Sequence, residues 1–127
     1  MSSTLTRGIL VTVRSEYIPE RSSTNARQYA FAYKVNIANQ GTVTAELKSR
    51  HWIITDAFGA VQEVRGEGVV GETPKLGPGE QFEYRSWAML RTPFGTMRGS
   101  YTFVRQDGST FQARIAEFAL TKPNALN

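Results

Sequence analysis

The chain predicts an all-β fold, a two-sheet antiparallel β-sandwich of the immunoglobulin or fibronectin type III kind with about seven strands. Three observations carry that reading. Short runs with two-residue alternation recur along the chain, separated by Gly, Pro, Asn and Asp turn signals. Helical periodicity is almost absent. One of the two tryptophans, Trp52, falls on the third predicted strand, where such sandwiches carry a core tryptophan. A barrel is the alternative architecture. With 127 residues the chain is read as one domain, 1–127, large enough to bury roughly two thirds of its unfolded surface without cross-links.

Residues 1–8 are polar and lie ahead of the first strand. In 8–18, Ile9, Val11, Val13 and Tyr17 share one parity and Thr12, Arg14 and Glu16 the other, the pattern of a half-buried strand. Pro19 ends it, and 20–27 holds only polar and small residues, which predicts a mobile surface loop. The alternation is cleanest in 28–39, with Tyr29, Phe31, Tyr33, Val35 and Ile37 facing the core. After the Asn39-Gln40-Gly41 turn, strand 43–55 puts Trp52 and Ile54 on one face and Leu47, His51 and Ile53 on the other, so cover on both sides is expected near its end.

Asp56-Ala57-Phe58-Gly59 is a tight turn into a short strand, 61–65; a loop of 57–59 sets Trp52 opposite Val64. The stretch up to Gly79 is too rich in Gly and Pro for regular structure. Strand 81–89 carries Phe82 and Tyr84, 92–95 turns, and 96–105 leads through Asp107-Gly108 to a last strand from Thr110. A two-residue loop there would oppose apolar and polar sets. A three-residue loop with Gly108 left-handed instead pairs Phe103 with Phe111, Tyr101 with Ala113 and Gly99 with Ile115. The last strand changes phase between Ile115 and Phe118, which predicts a bulge near Ala116.

The net charge is +4, and eleven of the fifteen cations are Arg, but they are spread along the chain. A diffuse excess argues against nucleic acid, which recruits a stripe or patch. The chain has no cysteine, which removes disulfides and thiolate metal sites and suits a reducing compartment. No signal peptide or membrane span is read at the start. The expected location is the cytoplasm, the expected state a monomer or weak dimer, and no cofactor is expected.

Gly66-Glu67-Gly68-Val69-Val70-Gly71 fits the G-x-G-x-x-G pattern of pyrophosphate loops. That chemistry needs a helix after the glycines, and Glu72-Thr73-Pro74-Lys75-Leu76-Gly77-Pro78 cannot supply one. The expectation is a crossing loop with Val69 and Val70 tucked inward, and a small-molecule ligand is not expected. His51 is the lone histidine, read as hydrogen-bonded at a sheet edge rather than as base or ligand. No serine has a G-x-S-x-G setting, Ser100 sits mid-strand, and Asp56, Glu63, Glu67 and Glu72 read as solvated surface charge. No catalytic residue and no metal ligand is assigned. Phe58, Trp87 and Phe94 fall at or near turns with Arg85 and Arg91 close by, and aromatic plus Arg is the composition of interface anchors. The plainer alternative is that Phe58 and Phe94 plug the two ends of the sandwich.

RHWIITD at 50–56, GEGVVGE at 66–72, LGPGEQFEY at 76–84 and GTMRGSY at 95–101 together resemble the bacterial ApaG (CorD) family, over essentially the whole chain. The resemblance implies a fibronectin type III-like sandwich and a non-enzymatic protein linked to cobalt and magnesium resistance. Similar domains are held to bind other proteins. The expected function is thus a protein-interaction module with an unidentified protein partner. The alternative is pyrophosphate, nucleotide or divalent-metal binding through the glycine loop.

Overall fold

Nine strands form two antiparallel sheets in the computed structural model, which describes residues 1–123. One sheet holds β1 (Ser2–Thr6), β2 (Ile9–Tyr17), β3 (Tyr29–Asn39) and β7 (Gln81–Leu90), in the order β1-β2-β3-β7. The other holds β4 (Ala45–Asp56), β5 (Val61–Glu67), β8 (Phe94–Arg105) and β9 (Thr110–Thr121), in the order β5-β4-β8-β9, with the two-residue β6 (Lys75–Leu76) also paired to β4. The predicted seven-strand sandwich is β2-β3-β7 facing β5-β4-β8-β9. β1 and β6 raise the count to nine.

β1 occupies what the sequence presented as a polar lead. Its Ser and Thr residues bury little apolar surface, although Ser2 itself is buried, and Arg7 (φ 47) and Gly8 (φ 88) make a two-residue turn with both φ angles positive, the geometry that suits a hairpin. Residues 20–27 are likewise more ordered than predicted. Pro19–Arg21 forms a 3₁₀ turn, Ser23 and Gln28 exchange backbone hydrogen bonds of 2.8 and 2.9 Å, and Ser22 Oγ donates to Ile18 O while accepting from Ala30 N. Small polar residues here serve as local hydrogen-bond partners.

β4 departs from its predicted phase. A bulge between Leu47 and Ser49 turns the strand over, so that Leu47, Trp52 and Ile54 all face the core while His51 and Ile53 face outward. The expected hairpin registers are present: Trp52 opposite Val64, Phe103 opposite Phe111, Tyr101 opposite Ala113 and Gly99 opposite Ile115. The phase change on β9 is also present, since Met97 pairs Phe118 while Gly99 pairs Ile115, leaving Ala116 and Glu117 opposite one residue.

The sheets meet around Trp52, which packs edge-on against Tyr33 (5.2 Å between centroids), Tyr101 (6.2 Å) and Phe118 (5.9 Å). Beside it the hydroxyls of Tyr84 and Tyr101 hydrogen-bond each other within the core. Gly99 lies against the same region, where an added Cβ would meet His51 O at 2.0 Å and Trp52 Cα at 3.2 Å.

Two outcomes follow. Gly99→Ala, which forces backbone against backbone on a strand paired on both sides, should cost about 3 kcal/mol or more, read as a lowered urea midpoint. Burial pushes the hydroxyls of Tyr33, Tyr84 and Tyr101 above their ordinary range. Folded values above unfolded ones mean that this stability is complete below about pH 10 and is lost as pH rises beyond it. Urea midpoints measured across pH should therefore stay level to about pH 9 and then fall, by up to about 1.4 kcal/mol per pH unit for each tyrosine that ionises only on unfolding.

Candidate functional site

The glycine loop is built by packing against Arg50. Arg50 on β4 lies opposite Gly66 on β5, and its guanidinium covers that glycine so closely that a Cβ would sit 2.7 Å from Cζ. Its Nη1 donates to Glu67 O (2.8 Å) and Gly68 O (2.9 Å), which fastens the loop to the sheet. Gly68 has φ 58, and a Cβ there would stand 2.1 Å from Glu72 O. Val69 and Glu72 then close a two-residue turn with backbone hydrogen bonds of 2.8 and 2.9 Å. The chain after Gly71 leaves that turn at Glu72 and runs to β6, not into a helix.

Val69 is buried as expected, but Val70 is 56% exposed and has φ 45. The turn needs two left-handed residues, Val70 and Gly71, so Val70 must point away from the core while holding a conformation that β-branched residues rarely take. Glu67 and Glu72 flank it, and Arg50 is already committed to carbonyls.

His51 lies on an interior strand, between β5 and β8, rather than at the expected sheet edge. Its Nε2 is 2.8 Å from Glu63 Oε1 on β5, and the Arg65 guanidinium approaches the same oxygen at 3.8 Å. Asp56 Oδ1 accepts from Phe58 N and Ala60 N, which shapes the β4–β5 turn. Among the described residues, no group of three or more His, Cys, Asp or Glu side chains converges as a metal site would require. Ser100 lies within β8, paired to His51 and Arg114.

The aromatic and arginine residues divide into two neighbouring groups. Arg85, Trp87 and Met89 share the outward parity of β7, opposite Lys34, Ala32 and Ala30 of β3. Trp87 remains 46% exposed, with the Arg21 guanidinium 4.8 Å and the Arg85 guanidinium 5.2 Å from its ring. Beneath them Ile18, Ala30 and Ala32 form a small second core on the outer face of the sheet. Phe58, Arg91 and Phe94 lie at the adjoining end, where Thr92 Oγ1 accepts from Ala57 N and donates to Phe94 O.

Neither aromatic there is a buried plug, and both are at one end. Phe58 is 88% exposed at the tip of its hairpin, and Phe94 is half-buried as the first residue of β8. Between the groups, Met89 and Arg91 line a cleft of about 290 Å³ with Val61 and Gln62 of β5. The sequence did not single out Arg21, Met89 or Val61. Met89 was detectable from its parity with Trp87; Arg21 reaches the ring only through the 3₁₀ turn, and Val61 reads as core in any pattern.

The fold and this exposed face define a fibronectin type III-like β-sandwich with a surface of aromatic and guanidinium groups. The ApaG domain matches residues 19–105. Protein ApaG of Ralstonia nicotianae is 56% identical over 119 residues, 94% of this chain and 96% of that one, and Protein ApaG of Anaeromyxobacter dehalogenans strain 2CP-1 is 55% identical over 127 residues, the whole of both. Among solved structures, the crystal structure of the ApaA protein from Bordetella pertussis superposes with a TM-score of 0.89 at 52% identity, covering 91% of this chain and 94% of that one. The chain belongs to the ApaG family.

The loop geometry yields a paired outcome. Val70→Asn, which accepts a left-handed conformation, should raise stability by about 1 kcal/mol, whereas Gly68→Ala should lower it by about 2 kcal/mol or more. Urea midpoints of the two variants check both signs.

Proposed function

We propose that this ApaG domain is a non-enzymatic protein-interaction module whose contact surface runs from Trp87 across Met89 and Arg91 to Phe94 and Phe58. The observation that carries this reading is Trp87, a large aromatic left half in solvent on an edge strand and held between two guanidiniums. A ring so held loses little freedom when covered, and Trp and Arg are the residues that most often dominate binding energy. Val70 at the tip of the glycine loop is a second candidate contact, at the other end of the sandwich from Phe58. Its strained and exposed position supports that role. On this reading the link to cobalt and magnesium resistance passes through the bound protein, since no convergent carboxylate or histidine set is present among the described residues. The chain would act as a single domain in the cytoplasm.

Capture from a native lysate on immobilised wild type, Trp87→Ala and Phe94→Ala tests the assignment. Partners retained by wild type should fall roughly tenfold or more on Trp87→Ala, the size of effect typical of a central aromatic anchor, while a urea midpoint still well within the folded range shows that the half-buried ring is not needed for folding. Equal recovery on all three would remove these aromatics from the surface.

A further inference from the structure

At the end of the sandwich opposite Phe58, the β1–β2 turn, the loop after β3 and the β8–β9 hairpin enclose a cleft of about 390 Å³. Arg7, Thr42, Val43, Ala45, Arg105 and Phe111 line it, and no Asp or Glu is among its lining residues. We propose that this cleft binds a small organic anion, with a phosphate or carboxylate head between Arg7 and Arg105 and an apolar body against Val43.

Arg105 is positioned for such a role by the core beneath it. Its guanidinium stands 4.6 Å from the Phe111 ring, and Phe111 stacks on the fully buried Phe103 at 5.5 Å with an interplanar angle of 13°. This support orients the guanidinium without consuming its N–H donors. Among the described residues neither Arg105 nor Arg7 forms an ion pair or a side-chain hydrogen bond, unlike Arg50, Arg65 and Arg85. The nearest acid in sequence, Asp107, feels the Arg105 charge but makes no ion pair with it; its Oδ1 accepts from Ser109 N and Oγ at 2.8 and 2.6 Å. Two arginines without an ion pair, lining one cleft that no Asp or Glu lines, favour an anion, and planar oxyanions match guanidinium donor geometry.

The cleft is also set before any ligand arrives. Asn39 is buried, its Nδ2 donates to Val43 O and Leu76 O at 2.9 Å each, and its Oδ1 accepts from Gly41 N at 3.0 Å. Gln40 N donates to Gly8 O at 2.7 Å, and a Cβ on Gly8 would meet Gly41 Cα at 2.9 Å, so the two turns touch backbone to backbone. Val43 then stands 47% exposed at the rim as the apolar wall. Rigid walls reduce the ordering cost of binding.

The test follows amide shifts of the full-length chain at fixed ionic strength during titration with phenyl phosphate, benzoate, inorganic phosphate and phenol. Saturable shifts at Gly8, Gly41 and Thr42 are expected from phenyl phosphate or benzoate, weaker ones from inorganic phosphate and none from phenol. Arg7→Gln and Arg105→Gln should each weaken binding roughly tenfold, the loss of one charge-assisted contact, while Arg98→Gln, at an exposed position of β8 outside the cleft, leaves it unchanged. Arg7 sits on an exposed turn, so its variant keeps the test valid if Arg105→Gln unfolds. Absence of saturable shifts, binding unaffected by Arg7→Gln, or equal weakening by Arg98→Gln overturns the site. Inorganic phosphate binding as tightly as phenyl phosphate overturns the apolar subsite.

Discussion

Leu47 and Trp52 lie five residues apart on one strand and are both fully enclosed between the sheets. Strand side chains alternate, so an uninterrupted strand would send one of them to solvent. Ile115 and Phe118 on β9 pose the same difficulty at a spacing of three. Each strand resolves it with one extra residue, and β8 runs between the two bulged strands as the regular member. The aromatic centre depends on this arrangement. Trp52 reaches Tyr33 across the gap between sheets only because β4 has turned over after Leu47, and Phe118 joins that contact only because β9 has done the same.

The sandwich is closed on one side and open on the other, and the proposed interaction surface lies on the open side. Along the closed side, Arg114 N donates to Thr6 Oγ1 and Ser15 Oγ donates to Ala119 O, so β1 and β2 are fastened to β9. β5 and β7 form the other side and each is paired along one edge only. Such edges invite unwanted pairing unless they are protected. β5 is protected by the alternating charges of Glu63, Arg65 and Glu67, whereas β7 carries Trp87 and Met89 on its outer face. A chain selected only for solubility would continue the charges of Glu83 and Arg85 on β7 through positions 87 and 89. Guanidiniums stacked on Trp87 keep that face wetted while leaving it available.

The strands, the hairpin registers and the β9 bulge were legible because each is written in neighbouring residues. Phe103, Phe111 and Gly108 fix a loop length by parity alone. The β4 bulge was not legible, because Lys48, Ser49 and Arg50 carry no glycine or other mark of irregularity, and only the demand of two sheets for apolar cover forces the turn-over. β1 was missed for a related reason: backbone pairing and a contact with β9 hold it, and polar Ser and Thr give no core signal. At the glycine loop, sequence pattern alone separated a helix from a crossing loop but could not show that Arg50 fills the space over Gly66, since the contact is set by the β4–β5 register and not by neighbouring residues. Arg7 and Arg105 share a cleft only through the pairing of the sheets, so no local pattern joins them.

Two buried polar side chains explain why surfaces at opposite ends of the sandwich are both well defined. Asn39 uses its whole amide on backbone groups of three different residues, and Thr92 uses its hydroxyl both to accept from Ala57 N and to donate to Phe94 O. A buried polar group left without partners costs more than its hydrogen bonds return, so each loop is held to the one arrangement that satisfies it. Around Asn39 that arrangement brings Gly8 against Gly41 and opens a cleft between cations. Around Thr92 it ties the β7–β8 turn to the β4–β5 hairpin, so that Phe94 and Phe58 lie at the same end of the sandwich. The loops of this sandwich are therefore specified from inside, by satisfied polar groups, which leaves their outward side chains free to serve binding instead of stability.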